Sequence, residues 1–256
     1  MIKDGDKETN RSIFFENLPF GFVIPKDQIE LLLLSEYGAL FVAKGGVVVP
    51  KSVVFKNSGE VSRFQAGLQK STEDISGFEM DLQSPAMTAL IEAIDEAGRR
   101  DLSITPRYSD SAGRTYDETV GLWASRVQPA LRHWVDNGEI DQADADRIEA
   151  LTPYLQVPEV LKLETKGIFF AKDLSKSIIY SVAPPGTSQH LALLAFDVLE
   201  HEDPEVREIL SNAGWFQTVT SDLPHFTYLG VRKNELEELG LKKVNNSDRS
   251  FWIPDI

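Results

Sequence analysis

The sequence predicts an α+β fold, an antiparallel sheet with flanking helices, preceded by an N-terminal β-rich extension. Three observations carry that expectation. Long stretches with helical spacing of apolar residues fall between residues 84 and 151, short apolar runs bounded by Gly and Pro fall after residue 160, and no βαβ alternation links them. The chain divides on this reading into an extension, residues 1–75, and a main domain, residues 76–256.

Taken in order, residues 1–11 are polar and read as poorly ordered. Ser12 to Pro25 and Ala39 to Lys56 are rich in Phe, Val and Ile with Gly and Pro punctuation, which predicts short strands and turns, so that residues 12–70 form the β-rich portion. The Gly45-Gly46 pair between two apolar runs is a hairpin signal. Met87, Leu90, Ile91 and Ile94 predict a helix over Ser84 to Arg99, with Pro85 in its first turn. Leu102 to Thr105 reads as a short strand. Val120, Trp123, Val127, Leu131 and Trp134 place one face on a helix from Thr115 to Asn137, stopped by Gly138 and bent at Pro129. Asp141 to Leu151 predicts a third, polar helix, and Ile168 to Phe170 with Ser177 to Val182 a strand hairpin. A Pro184-Pro185-Gly186 loop then leads to a strand at Leu193 to Leu199, a helix at Pro204 to Ala213 and a strand at His225 to Val231.

Composition removes several function classes. Forty acidic against 26 basic side chains give a net charge of −14, which repels nucleic-acid phosphates and argues against a nucleic-acid partner. No apolar window approaches the length of a membrane span. Cysteine is absent, which excludes thiolate chemistry and leaves His, Asp and Glu to hold any metal. Met1 to Asn10 shows no basic segment followed by an apolar one, so the expectation is either a cytoplasmic protein or one whose secretory leader has been removed.

Only four histidines occur, and two of them, His190 and His225, lie in distinctive loops, Pro184 to His190 and Ser221 to Tyr228. His133 sits on a helix and His201 in an acidic run, where solvated roles are expected. Asp197 interrupts the apolar run Leu191 to Leu199, where a carboxylate is costly to bury without compensation. His190 upstream and an Asp222-x-x-His225 cluster downstream point to a shared cation. Two neutral imidazoles and one carboxylate make a three-ligand site for one Zn2+ per chain, with a fourth position open. Asp222, turned by Pro224, is the candidate general base. Gly186 and Ser188 shape the loop presenting His190, whereas Trp215, Phe216, Phe226 and Tyr228 read as core.

The order Ser188-x-His190, Ala195-x-Asp197 and acid-x-x-His225 resembles the signature of the zinc D-Ala-D-Ala carboxypeptidases and dipeptidases of the VanY and VanX type, the M15 peptidases, over residues 84–231. The resemblance implies that His190, Asp197 and His225 bind zinc and that the acid before the last His is the base. It also implies an arginine that holds the substrate carboxylate, for which Arg114 in Arg114-Thr115-Tyr116 and Arg107 after the early strand are the candidates, with Ser188 beside the site. Two positions depart from the family. Leu193 stands where glycine is usual, implying a different backbone or pocket, and Asp222 replaces Glu, shortening the reach by about 1–1.5 Å.

The function implied is hydrolysis of a peptide bond in bacterial cell-wall peptide. Its partner would be the peptidoglycan stem peptide or its D-Ala-D-Ala terminus, and its place periplasmic or extracellular. Alternatives are a zinc amidase with another substrate and a zinc-containing module that binds wall peptide without cutting it.

Overall fold

Caps and turns set the elements. The computed structural model describes residues 12–246 and 248–256, so the expectation for residues 1–11 lies outside the described residues. Ser12 caps a short helix α1 (Ile13–Asn17), and the Asp27 carboxylate accepts the Ile29 and Glu30 amides, at 3.1 and 3.0 Å, to start α2 (Gln28–Tyr37). Gly38–Val42 continues from α2 as a 3-10 turn with all five residues buried. Asn57 caps α3 (Ser58–Ala66), where Glu60 reaches back to the Lys56 amide at 2.7 Å.

The β-rich reading of residues 12–70 is thereby corrected, because the described residues before Lys70 form helices, turns and irregular chain and no strand. Short apolar runs such as Gly38 to Val42 fit a buried helical turn as well as a strand, and here capping decides. Gly45-Gly46 does form a turn, with left-handed φ at both residues, but no ladder flanks it.

The first hairpin lies further on, β1 (Lys70–Ile75) with β2 (Phe78–Gln83), closed by Ser76-Gly77 with φ of 56° and 85°. Its turn sits at the boundary read between residues 75 and 76. Buried side chains from both sides of that boundary, from Phe14 to Trp252, join one contiguous core.

The central helices match their sequence signals closely. Helix α4 (Ser84–Arg99) has Pro85 in its first turn and buries Met87 and Leu90. Helix α5 (Tyr116–Asp136) opens with a capping box, Thr115 with Glu118, buries Trp123, Val127 and Leu131, and carries Pro129 without ending there. After Gly138, which takes φ +74°, come α6 (Gln142–Glu149) and α7 (Pro153–Glu164).

The hairpin expected of Ile168 to Phe170 with Ser177 to Val182 is replaced by a carboxylate clamp. Glu164, buried at the end of α7, accepts the amides of Phe170 at 3.1 Å and Ile178 at 2.7 Å and the Ser177 hydroxyl. These bonds draw the two segments together without a ladder, and Ile178–Tyr180 closes as a 3-10 turn.

The site rests on a three-stranded antiparallel sheet of β3 (Ala195–Asp197), β5 (His225–Tyr228) and β4 (Trp215–Phe216), in the order β3-β5-β4. Helix α8 (Pro204–Asn212) lies between β3 and β4 in the chain, and a hairpin of β6 (Leu241–Asn246) and β7 (Arg249–Pro254) ends it. The α+β class with small antiparallel sheets thus holds. Leu102 to Thr105 forms no strand; the Thr105 carbonyl accepts the Leu199 amide at 3.0 Å, and a single bridge joins Pro106 to Val198. Among the described residues no helix is long and apolar enough to cross a membrane.

Candidate metal centre

Strand register makes the first half of the site. Side chains directly opposite in an antiparallel pair share a face, and Asp197 on β3 is paired with His225 on β5. Thr227, two residues along β5, lies on the same face.

His190 arrives by another route. The Pro184-Pro185-Gly186 loop packs so tightly that a Cβ on Gly186, at φ +82°, would sit 1.9 Å from the Phe55 carbonyl oxygen. A 3-10 turn, Gln189–Ala192, follows and ends at Leu193 with φ 55° and ψ 37°, reversing the chain into β3. That left-handed conformation costs a leucine about 1–2 kcal/mol and glycine nothing. Leu193 is nevertheless buried, and its Cδ2 lies 2.6 Å from where a Cβ on Gly113 would be. Burial of its side chain, worth about 1.5–3 kcal/mol, offsets the backbone strain.

Three ligand atoms converge. His190 Nε2 lies 3.2 Å from His225 Nδ1 and 3.3 Å from Asp197 Oδ1, and His225 Nδ1 lies 3.1 Å from the same carboxylate oxygen. In a neutral imidazole the outer hydrogen bond selects which nitrogen carries the proton. A carbonyl only accepts, so the 2.6 Å contact of His190 Nδ1 with the Ala112 oxygen places the proton on Nδ1 and leaves Nε2 bare. Gln189 donates from Nε2 to the Tyr37 carbonyl at 2.9 Å, which aims its Oε1 at His225 Nε2, 2.8 Å away, and leaves His225 Nδ1 bare. Thr227 donates to the same Gln189 oxygen.

Asp197 is steadied from its other side, because the Arg114 guanidinium bonds Oδ2 at 2.9 Å. Burial opposes ionisation of Asp197, yet the facing imidazoles outweigh it and hold the carboxyl well below the usual range. Burial pushes His190 below its ordinary value against the pull of Asp197, so its ring is neutral at physiological pH. Two imidazole nitrogens and one carboxylate oxygen meet with their outward bonds already satisfied. That donor set can hold a metal ion.

All three side chains line a cavity of about 350 Å³. Of the other residues singled out in the sequence, Arg107, Arg114, Ser188 and Asp222 line it too. Asp222 is exposed, and its carboxylate has no hydrogen-bond partner among the described residues. Its backbone turn delivers the strand, with the Asp222 oxygen accepting the His225 amide at 3.3 Å. Arg107 is exposed and lies 5.2 Å over the Tyr108 ring. Arg114 faces Asp197 and its neighbour Asp110.

Gln189, Ala112 and Thr227 were not singled out by sequence. Gln189 had one visible signal, its place beside His190, while Ala112 acts through its carbonyl and leaves none. His201, expected to be solvated, is only 15% exposed at its side chain and accepts a bond from Arg249 at 3.0 Å. Trp215, Phe216, Phe226 and Tyr228 are buried in the core as expected.

Comparison with family models, with curated proteins and with solved structures gives no match.

Two outcomes are expected. Gln189→Met, which keeps the volume but removes the acceptor for His225, should weaken binding of a divalent metal roughly 10–100-fold in a calorimetric titration. Unchanged affinity would show that the amide does not orient the ring. The second concerns acid. His190 has its folded-state pKa below 6.5, so the unfolded chain takes up a proton first. Its contribution to stability is present above that value and declines as pH falls below it. The urea midpoint of chelator-treated protein should therefore drop between about pH 6.5 and 5, whereas a flat profile would contradict neutral burial of this imidazole.

Proposed function

We propose that the chain is a zinc-dependent hydrolase of peptide bonds in bacterial cell-wall peptides, of the D-alanyl-D-alanine carboxypeptidase type, acting outside the cytoplasmic membrane. The observation that carries the reading is the convergence of His190 Nε2, His225 Nδ1 and Asp197 Oδ1 on one wall of an open cavity, each held from behind. Two imidazoles and one carboxylate suit zinc better than the hard cations, which prefer all-oxygen sites. The resemblance of Ser188-x-His190, Ala195-x-Asp197 and Asp222-x-x-His225 to the VanY and VanX type supplies the substrate class.

His190, Asp197 and His225 would hold the ion. A zinc ion there supplies a Lewis acid for the scissile carbonyl and a lowered pKa, near 7, for the attacking water. Ala112 and Gln189 keep both rings in the tautomer that presents a lone pair, and Arg114 holds Asp197 so that Oδ1 faces the two rings. Asp222, unengaged by other side chains and bordering the same cavity, takes the proton of the attacking water on a carboxylate oxygen and returns it to the leaving amine.

The test is an assay of zinc-loaded protein on N-acetylated peptides ending in D-Ala-D-Ala, with release of D-alanine as the readout. Asp222→Asn should lower kcat by about 10²–10⁴-fold while zinc content stays at the wild-type level. Equal rates in the two proteins would remove Asp222 from the chemistry. Absence of turnover on any peptide, with zinc bound, would favour a module that binds without cutting.

A further inference from the structure

The three-stranded sheet has a second face. His225 and Thr227 take the metal-site face of β5, so Phe226 and Tyr228, which alternate with them, take the other, and Trp215 on β4 is paired with Tyr228. Trp215 and Phe226 border a separate cavity of about 390 Å³, formed with α8, the 3-10 turn Lys233–Glu235 and β7, which shares no lining residue with the metal cavity. Its volume lies within the range of small-molecule sites, about 300–1,000 Å³.

Two polar atoms of buried side chains at this cavity lack partners, and they are complementary. The Trp215 ring is fully buried beside that of Tyr228, 5.3 Å away, and among the described residues its Nε1 is the one fully buried side-chain polar atom without a hydrogen bond. Gln217 stands two residues along, on the same side of the extended chain. It is 4% exposed and donates from Nε2 to the Leu223 carbonyl at 2.5 Å, while its Oε1 accepts from no described residue. An unpaired buried donor is rare in a folded protein and calls for an acceptor. A hydroxyl both donates and accepts, so a single one answers the indole N–H and the amide oxygen.

The rim narrows the ligand further. Arg207 is committed, with Nη2 bonded to Asp248 at 2.8 Å and Nη1 to the carbonyls of His201 and Glu202 at 3.1 and 2.6 Å. Lys233 shares the lining with the Glu208 carboxylate, so the charged side chains of the cavity balance and leave no net positive charge to hold an anion. Phe226 and Trp252 add aromatic walls, which suit the apolar C–H faces of a sugar ring.

We infer that this cavity binds an uncharged saccharide, one hydroxyl of which bridges Trp215 Nε1–H and Gln217 Oε1. The inference does not rest on the hydrolase reading, since the cavity lies on the face of the sheet opposite Asp197 and His225.

The experiment follows the indole N–H resonances of the full chain, labelled with nitrogen-15, during titration with methyl β-D-glucopyranoside, with N-acetyl-D-glucosamine and with inorganic phosphate. The chain has 4 tryptophans, and Trp215 is recognised among them by its neighbours, the Phe196 and Tyr228 rings. At least one sugar should move the Trp215 resonance saturably, with a Kd of about 1 mM, the strength that a ligand of this size reaches at ordinary efficiency. Phosphate should leave it in place. Trp215→Phe keeps an aromatic ring in the core and removes the donor, and Gln217→Met removes the acceptor; each should weaken binding of that sugar about 3–10-fold. The remaining indole resonances, at their wild-type positions, report that each variant is folded. The inference is overturned if neither sugar moves the Trp215 resonance at concentrations far above that Kd, if phosphate moves it as far as the sugars do, or if a folded variant binds the sugar as tightly as wild type. None of these readings involves release of D-alanine, so the hydrolase reading stands or falls separately.

Discussion

Three side-chain atoms, two imidazole nitrogens and one carboxylate oxygen, held 3.1 to 3.3 Å apart are the constraint around which the site is arranged. Each side chain is fixed by a bond on its far side, to the Ala112 carbonyl, the Gln189 amide and the Arg114 guanidinium, so none can turn away without stranding a buried partner. Burial opposes the charge on Asp197, and the two facing imidazoles outweigh it and hold the carboxyl well below its usual range. With its outer bonds satisfied, the group could hold a metal ion.

The fold serves that cluster by delivering its parts from distant stretches of chain. The β3-β5 register opposes Asp197 and His225. The left-handed Leu193 lets His190 stand over the strand that begins two residues later, and Gly113 leaves room for the leucine side chain. The connection between α4 and α5 then runs along the free edge of β3, where Arg107 bonds the Asp197 carbonyl and Asp197 the Ser111 carbonyl, bringing Ala112 and Arg114 to the site. One loop thus covers a strand edge and supplies two of the three outer bonds.

The sequence disclosed what periodicity and local order encode. Helices α4 and α5 follow from apolar spacing, and α5 is bracketed by Thr115 and Asn137 as expected. The three ligand positions were visible because polar groups interrupt apolar or turn-rich surroundings. The N-terminal region departs from the strands its Phe, Val and Ile content predicts, because Asp27-x-x-Glu30 and Asn57-x-x-Glu60 start helices there. The clamp at Glu164 left no local pattern, since it joins residues through a side chain to amides 6 and 14 positions away. Register, tautomer and the committed state of Arg114 belong to tertiary contacts that no spacing in the chain reveals.

The central claim is that these three side chains form one metal site, and a titration of chelator-treated protein with Zn2+ addresses it directly. The account predicts one equivalent bound per chain in the wild type, with that binding lost in His190→Ala and in His225→Ala. Saturation at zero equivalents, or a site that survives both substitutions, would contradict it.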